Sequence, residues 1–200
     1  MIILAAAFLG YLVGSLPTAN GLARLWAIDL RAGGSGNPGA NNARRLGGLT
    51  LFVLVLLVEV LKGMLAVVLG LSLAGDPGAV IAGLAAVAGN VYNVWYSFHG
   101  GKGLAITLGV LLAAWPTVVP FLLVILGIAA VLTRSSGIGT LITLVCLLVA
   151  ALTWEWIGLG TAWGVEDLTT LLVLGIGIPA TVWQRHLTDA RAHLRAPAPL

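Results

Sequence analysis

Long apolar stretches, separated by short polar segments rich in glycine, run along almost the whole chain. They predict membrane-spanning helices, because about 20 apolar residues cross the hydrocarbon core of a bilayer. We therefore expect an all-α, polytopic integral membrane protein with seven spans in one bundle. The expected spans are residues 2–22, 49–73, 79–98, 104–114, 117–133, 138–157 and 168–183. The fourth is too short for a full crossing, so a half-span or a span that borrows loop residues is expected there.

Composition supports a membrane protein. The chain is 60% hydrophobic and 8% charged, with a mean hydropathy of +1.07, whereas a soluble domain exposes far more charge. We expect residues 1–195 to form one membrane domain. A basic tail begins at residue 184, and residues 196–200 are expected to be disordered. Cys146, the single cysteine, excludes a disulfide framework. The first stretch lacks the features of a cleaved signal, so it is expected to be retained.

The distribution of charge predicts orientation. With the N-terminus outside and seven spans, the cytoplasmic side holds Arg24, Arg31, Arg44, Arg45, Lys102, Arg134, Arg185, Arg191 and Arg195. The opposite loops hold Asp76, Glu155, Glu166 and Asp167 and no basic residue. This asymmetry follows the positive-inside rule, so the C-terminus is expected in the cytoplasm. Trp154 and Trp156 are expected as interfacial aromatics. The net charge of +3 is small and gives no indication of a nucleic-acid partner.

The first glycine-rich loop, residues 33–45, lies in a polar segment that runs from residue 23 to residue 48. Its glycines allow sharp bends, and its Ser, Asn and Arg side chains supply hydrogen-bond donors, a combination that suits a phosphate. The alternative is a solvated loop whose arginines only set orientation. Gly34, Gly36 and Gly39 match the spacing of a dinucleotide fingerprint, but no strand precedes them, which argues against a nucleotide-binding fold.

The second glycine-rich loop, residues 99–103, places Lys102 among three glycines. It is not a phosphate-binding P-loop, because Gly103 stands where a Ser or Thr would bind magnesium. Lys102 can still act as a mobile charge beside backbone donors, or it can be a simple cytoplasmic anchor.

Charged and titratable residues at the spans suggest further roles. Glu59 and Lys62 share one helical face and are expected to face the bundle interior, as a structural pair or as part of the site. His186 follows the last span and is either a general base or an interfacial residue. Neither a metal-binding cluster nor a nucleophile elbow is evident in the sequence, so no metal and no cofactor are expected.

Two motifs resemble a known family. The sequence Gly34-Ser35-Gly36-Asn37-Pro38-Gly39-Ala40-x-Asn42-x-x-Arg45 is similar to the first signature of the bacterial acyl-phosphate:glycerol-3-phosphate acyltransferases (PlsY). Phe98-x-Gly100-Gly101-Lys102-Gly103-x-Ala105 is similar to the second. Arg134 with the small residues after it, and His186, are similar to the third and fourth. The resemblance covers essentially the whole chain.

This resemblance implies a seven-helix enzyme of the bacterial inner membrane with a cytoplasmic active site. It would transfer a fatty acyl group from acyl phosphate to the 1-hydroxyl of glycerol 3-phosphate, giving lysophosphatidic acid and phosphate. The catalytic residues it implies are Ser35, Arg45, Lys102 and His186. The implied phosphate-binding residues are Gly34, Gly36, Asn37, Gly39, Asn42, Gly100, Gly101, Gly103 and Arg134. The proton acceptor is either His186 or a phosphate oxygen of the donor, and the oligomeric state is left open.

Several positions depart from the family pattern. His is usual at Asn90, Asp at Glu59, a Ser near Gly137, and Arg and Asn at Leu187 and Asp189. These changes leave a divergent enzyme and an inactive lipid-binding relative as alternatives. From another functional class, a phosphate-ester or anion transporter is a further alternative, although no internal repeat is evident.

Overall fold

The computed structural model describes residues 1–165 and 167–195, and it confirms the all-α class. The α-helices in these ranges are α1 (Ile2–Ser15), α2 (Thr18–Arg24), α3 (Ala40–Val91), α4 (Leu104–Ala114), α5 (Val119–Thr133), α6 (Ser136–Ile157) and α7 (Leu168–Arg195). Four helical stretches there are long and apolar enough to cross a membrane, namely Ile2–Arg24, Ala40–Tyr96, Pro116–Thr133 and Ser136–Ile157. The bounds predicted for the short fourth stretch are those of α4.

Helix α3 is interrupted at Gly48 and again at Ala74 and Gly75, and its two long pieces are arms that fold back on each other. At the reversal Gly75 adopts a φ of 61° that an L side chain disfavours. A Cβ on Gly70 would overlap the carbonyl oxygen of Gly78, and the reverse also holds. In one straight helix residues eight apart would lie about 12 Å apart, so residues 49–73 and 76–91 form an antiparallel pair.

Small residues allow the helices to approach closely. Helix α1 packs on the second arm of α3 at Gly10 and Gly14, and a Cβ on Gly10 would overlap the main chain of Ala82. Helix α4 crosses the first arm of α3 in the same manner, because a Cβ on Gly109 would overlap the carbonyl of Val60. Such contacts are typical of membrane bundles, where backbones that come close gain dispersion contacts.

A buried polar cluster joins α1, α2 and both arms of α3, and we call it the Glu59 cluster. Glu59 and Lys62 are 4% and 5% exposed and form an ion pair at 3.1 Å. The Glu59 carboxylate also accepts hydrogen bonds from Thr18 Oγ1 at 2.7 Å and Asn90 Nδ2 at 2.8 Å. Lys62 donates to the carbonyl of Leu16 at 2.8 Å. The predicted inward orientation of the pair is confirmed.

Three predicted boundaries were wrong. The stretch 2–22 is not one helix, because α1 ends at Ser15 and Pro17 has no amide hydrogen with which to continue it. The loop predicted at residues 33–45 ends early, since α3 begins at Ala40, whereas the predicted start of the second span at residue 49 agrees with the non-helical Gly48. The stretch 79–98 ends as an α-helix at Val91, before a short 3₁₀ turn.

Two further expectations change near the C-terminus. The tail after residue 184 is helical up to Arg195, within α7. Trp154, expected as an interfacial aromatic, is buried within the protein, and its ring contacts Trp115 edge-on at a centroid distance of 5.0 Å. Residues 196–200 and Glu166 lie outside the described residues, so the disordered tail stays a prediction.

Replacement of Lys62 tests how much the Glu59 cluster contributes to the free energy of unfolding. We expect Lys62→Met to lower the free energy of unfolding by about 3–5 kcal/mol, because it leaves the Glu59 carboxylate buried without its cation. Thermal unfolding in detergent measures this. In a background of Glu59→Gln the same change should cost much less, since no buried charge remains. An equal loss in both backgrounds would contradict this account.

Candidate active site

The first glycine-rich loop is held in shape by Asn42. This side chain is 1% exposed, and its Oδ1 accepts a hydrogen bond from the Ser35 amide at 2.9 Å. Its Nδ2 donates to the carbonyls of Leu30 at 2.8 Å and Gly33 at 3.0 Å. With its donors and acceptor engaged by backbone, Asn42 shapes the loop, and its predicted contact with phosphate stays a prediction.

The remaining first-loop residues lie around this support. Gly34 and Gly36 adopt positive φ angles of 60° and 68°, as the predicted bends require. Ser35 and Arg45 are exposed, and among the described residues neither side chain makes a hydrogen bond or ion pair. Their polar groups are therefore free to bind an anion. Asn37 and Gly39 are half-buried beside them.

The second glycine-rich loop is tied to the end of α3. The amide of Gly100 donates to the carbonyl of Val91 at 3.0 Å, and that of Gly101 donates to the carbonyl of Asn90 at 2.9 Å. A Cβ on Gly100 would overlap the Asn90 carbonyl, so this close approach needs glycine. The expectation that these two amides bind phosphate is therefore wrong for this conformation, because they are already engaged.

The start of α4 offers other backbone N–H groups in place of the amides of Gly100 and Gly101. Gly103, at φ 81°, is the residue before the first turn of this 11-residue helix. The first N–H groups of an α-helix have no partner within the helix, and they carry a partial positive charge that attracts anions. Lys102 comes directly before this helix start, so a cation and free amides lie together.

Helix α7 contacts both the main-chain carbonyl and the side-chain ammonium of Lys102. His186 Nε2 lies 3.2 Å from the Lys102 carbonyl, and because a carbonyl can only accept, Nε2 carries the proton. Asp189 forms an ion pair with the Lys102 ammonium. His186 is 2% exposed, and burial lowers the pKa of its imidazole below the usual value. A neutral His186 therefore keeps Nδ1 as a possible acceptor.

Contacts between the loops bring both motifs to one place. The carbonyl of Pro38, in the first loop, lies 3.8 Å from the position of a Cβ on Gly101, in the second. Both residues line a small crevice together with Glu59 and Asn90. The two motifs, about 60 residues apart in sequence, are thus neighbours at one end of the bundle.

Stacking and helix contacts add to this arrangement. The Arg31 guanidinium lies over the Tyr96 ring, 4.3 Å from its centroid, which joins the segments before each loop. Arg185 donates to the carbonyls of Val91 at 3.2 Å and Phe98 at 3.4 Å. Sequence reasoning assigned Arg31 and Arg185 only to orientation. Nothing in the sequence pairs either of them with its partner.

Arg134 comes to the same region through α6. It ends α5 with a φ of 51° and is exposed. Just after it, Gly137 packs against α7, where its Cβ would lie 2.8 Å from the Asp189 Cβ. The Arg134 segment is thus attached to the part of α7 that contacts Lys102. The role of Asp189 as a partner of Lys102 was missed, although its spacing of three from His186 places both on one helical face.

An apolar groove begins beside these polar groups. Its cavity volume is about 70 Å³, it is partly open at the surface, and the atoms exposed in it are apolar, although Thr107, Thr140 and Thr143 are among its lining residues. Leucines of three helices dominate the lining: Leu104, Leu108 and Leu111 of α4, Leu122 and Leu126 of α5, and Leu144 of α6. Leu104 is two residues after Lys102, so the groove leads away from the polar site into the bundle.

Comparison with known proteins connects this arrangement to one family. The family model described as glycerol-3-phosphate acyltransferase matches residues 4–196. The chain is 36% identical to glycerol-3-phosphate acyltransferase 1 of Moorella thermoacetica, over 92% of this chain and 90% of that protein. It is 38% identical to the glycerol-3-phosphate acyltransferase of Agrobacterium fabrum, over 93% of this chain and 85% of that protein.

Solved structures give the same result. The crystal structure of PlsY (YgiH), an integral membrane glycerol 3-phosphate acyltransferase, in its glycerol 3-phosphate form, has a TM-score of 0.74 at 28% identity. The match covers 96% of this chain and 93% of that one. The lysophosphatidic acid form has a TM-score of 0.77 and covers 96% and 91%. The protein is thus a multi-pass membrane protein, and it belongs to the glycerol-3-phosphate acyltransferase family.

Proposed function

We propose that the protein transfers a fatty acyl group from acyl phosphate to the 1-hydroxyl of glycerol 3-phosphate. The observation that carries this proposal is that Pro38 and Gly101 line one crevice, so that two phosphate-type loops lie together where the apolar groove begins. Two phosphorylated substrates, one with a long apolar chain, need such a combination. The exposed Ser35 and Arg45, with Lys102 and the start of α4, supply the donors.

The chemistry requires positioning more than a protein nucleophile. Acyl phosphate is an activated mixed anhydride, so the glycerol hydroxyl oxygen bonds to the acyl carbon while the bond from that carbon to phosphate breaks. The leaving phosphate gains charge, and cations and helix amides already in place stabilise that charge. No metal or cofactor enters this scheme.

The proton of the hydroxyl goes to a phosphate oxygen of the donor in this proposal. The burial of His186 supports that choice, because a base that is 2% exposed does not reach a hydroxyl bound at the surface without a rearrangement. His186 then acts through Lys102, whose carbonyl it holds, as a positioning residue.

The apolar groove is proposed to hold the acyl chain. Its wall α4 is about 16 Å long, given its 11 residues and a rise of 1.5 Å per residue, and starts at the phosphate-binding end. An acyl chain with its phosphate beside Lys102 could extend along α4, away from water. Burial of each methylene contributes about 0.8 kcal/mol.

The proposed membrane arrangement has seven crossings, an external N-terminus and a cytoplasmic site in the bacterial inner membrane. The antiparallel arms of α3, separated by the non-helical Ala74 and Gly75, support two crossings. The basic residues support the orientation, because both loops and the end of α7 carry them. A transporter is less well supported, since the polar groups gather at one end of the bundle and not at its midplane.

Alanine variants of the two cations test the assignment. We expect Lys102→Ala and Arg45→Ala each to lower acyl transfer by at least about a hundredfold, because each removes a cation that holds and neutralises phosphate. The measurement is consumption of acyl phosphate by purified protein with and without glycerol 3-phosphate. Arg195→Ala, an exposed cation at the end of α7, is the matched control and should keep activity. Full activity in both test variants would refute the proposal.

The same assay separates the alternatives. An inactive lipid-binding relative would bind both ligands without turnover, and a transporter would not consume acyl phosphate when glycerol 3-phosphate is added. An acyltransferase consumes it only when glycerol 3-phosphate is present.

A bulky side chain in the groove tests the acyl-chain site. Leu108→Trp should lower transfer from long-chain donors by about tenfold, equivalent to ~1.4 kcal/mol, while short-chain donors react almost normally. The matched control is Leu132→Trp, on a 77% exposed position of α5 away from the groove. Equal loss with every chain length, or loss in the control, would argue against this site.

A further inference from the structure

Helix α7 holds Lys102 through two residues on one of its faces. His186 donates to the Lys102 carbonyl, and Asp189, three residues later, pairs with the Lys102 ammonium. Residues three apart in an α-helix lie on the same face, so one face of α7 contacts both ends of the lysine. Of these two contacts, only that of Asp189 occupies the Lys102 ammonium, which is the group that a substrate phosphate also needs.

The ion pair of Lys102 with Asp189 is accessible to water. Both side chains are 34% exposed, whereas those of Lys62 and Glu59 are 6% exposed. An accessible pair is weak, because water solvates both charges and salt screens them. A phosphate carries more charge and more acceptor oxygens than one carboxylate, so it is the stronger partner for an ammonium group.

We propose that Asp189 sets the affinity of the site for phosphates by competing with them for Lys102. Its carboxylate occupies the ammonium when the site is empty, and a substrate phosphate must displace it. The inference rests on the proposed function, which makes Lys102 a phosphate ligand. After the transfer, the carboxylate pairs with Lys102 again and thereby favours release of the product phosphate.

The packing of α6 keeps this competitor in place. A Cβ on Gly137 would lie 2.8 Å from the Asp189 Cβ and 2.9 Å from the Ala190 amide nitrogen, so α6 presses directly on this turn of α7. The backbone of Asp189 therefore has no room to move toward α6, and side-chain rotation is the way by which its carboxylate leaves Lys102. A displaced carboxylate stays close, at a high effective concentration, and returns as soon as the phosphate departs.

Replacement of Asp189 by its neutral isostere is the direct test. The affinity of purified full-length protein for inorganic phosphate is measured by calorimetry, and its inhibition of acyl transfer is measured in parallel. We expect Asp189→Asn to bind phosphate about two- to fivefold more tightly, the change that removal of an accessible ion pair produces. Asp189→Glu, which keeps the charge, should resemble the wild type. High salt should shrink the difference.

The opposite result has a distinct meaning. If Asp189→Asn binds phosphate with unchanged or lower affinity, Asp189 does not compete for Lys102, and the inference is overturned. Lys102→Ala serves as the reference, and in that background Asp189→Asn should have no effect. Phosphate affinity of Lys102→Ala equal to that of the wild type would overturn the phosphate-binding role of Lys102 itself, which is a failure of the proposed function.

Discussion

The fold depends on one buried carboxylate. Glu59 lies in an apolar arm of α3, where an isolated charge would be very costly, so its partners are fixed with it. Those partners are Lys62, Thr18 and Asn90, and Lys62 in turn occupies the carbonyl of Leu16. That carbonyl, at the break between α1 and α2, also accepts a hydrogen bond from the Thr18 amide at 2.8 Å. The cluster therefore ties the break to both arms.

The position of the active site follows from this cluster. The Asn90 side chain donates to Glu59, and the Asn90 carbonyl accepts from the amide of Gly101. The second loop is therefore attached to the cluster through one residue. The first loop follows α2, whose first residue is Thr18, and its Pro38 lines one crevice with Gly101. A charge inside the bundle thus orients two surface loops, while Ser35 and Arg45, which we propose bind anions, remain exposed.

Sequence patterns predicted much of the architecture because its constraints are local. Apolar length predicts helices, including the separate stretches 49–73 and 79–98, and the spacing of Glu59 and Lys62 predicts a shared face. Pairings between distant segments were not predictable in this way. The hydrogen bonds of Gly100 and Gly101 to the end of α3 depend on how the helices pack, and so does the ion pair of Asp189 with Lys102. No periodicity in the sequence predicts such contacts.

Four of the five departures from the family pattern, all but Leu187, fall in two contacting pairs. Glu59, where Asp is usual, contacts Asn90, where His is usual, at 2.8 Å. Gly137, where a Ser is usual nearby, packs against Asp189, where Asn is usual. Glu is longer than Asp and Asn is shorter than His, so the hydrogen bond between positions 59 and 90 is kept. Gly137, opposite Asp189, keeps the close packing of α6 on α7. Independent loss of function would not be expected to alter partners together. Paired changes that preserve contacts therefore support the proposal of a divergent but active enzyme over that of an inactive relative.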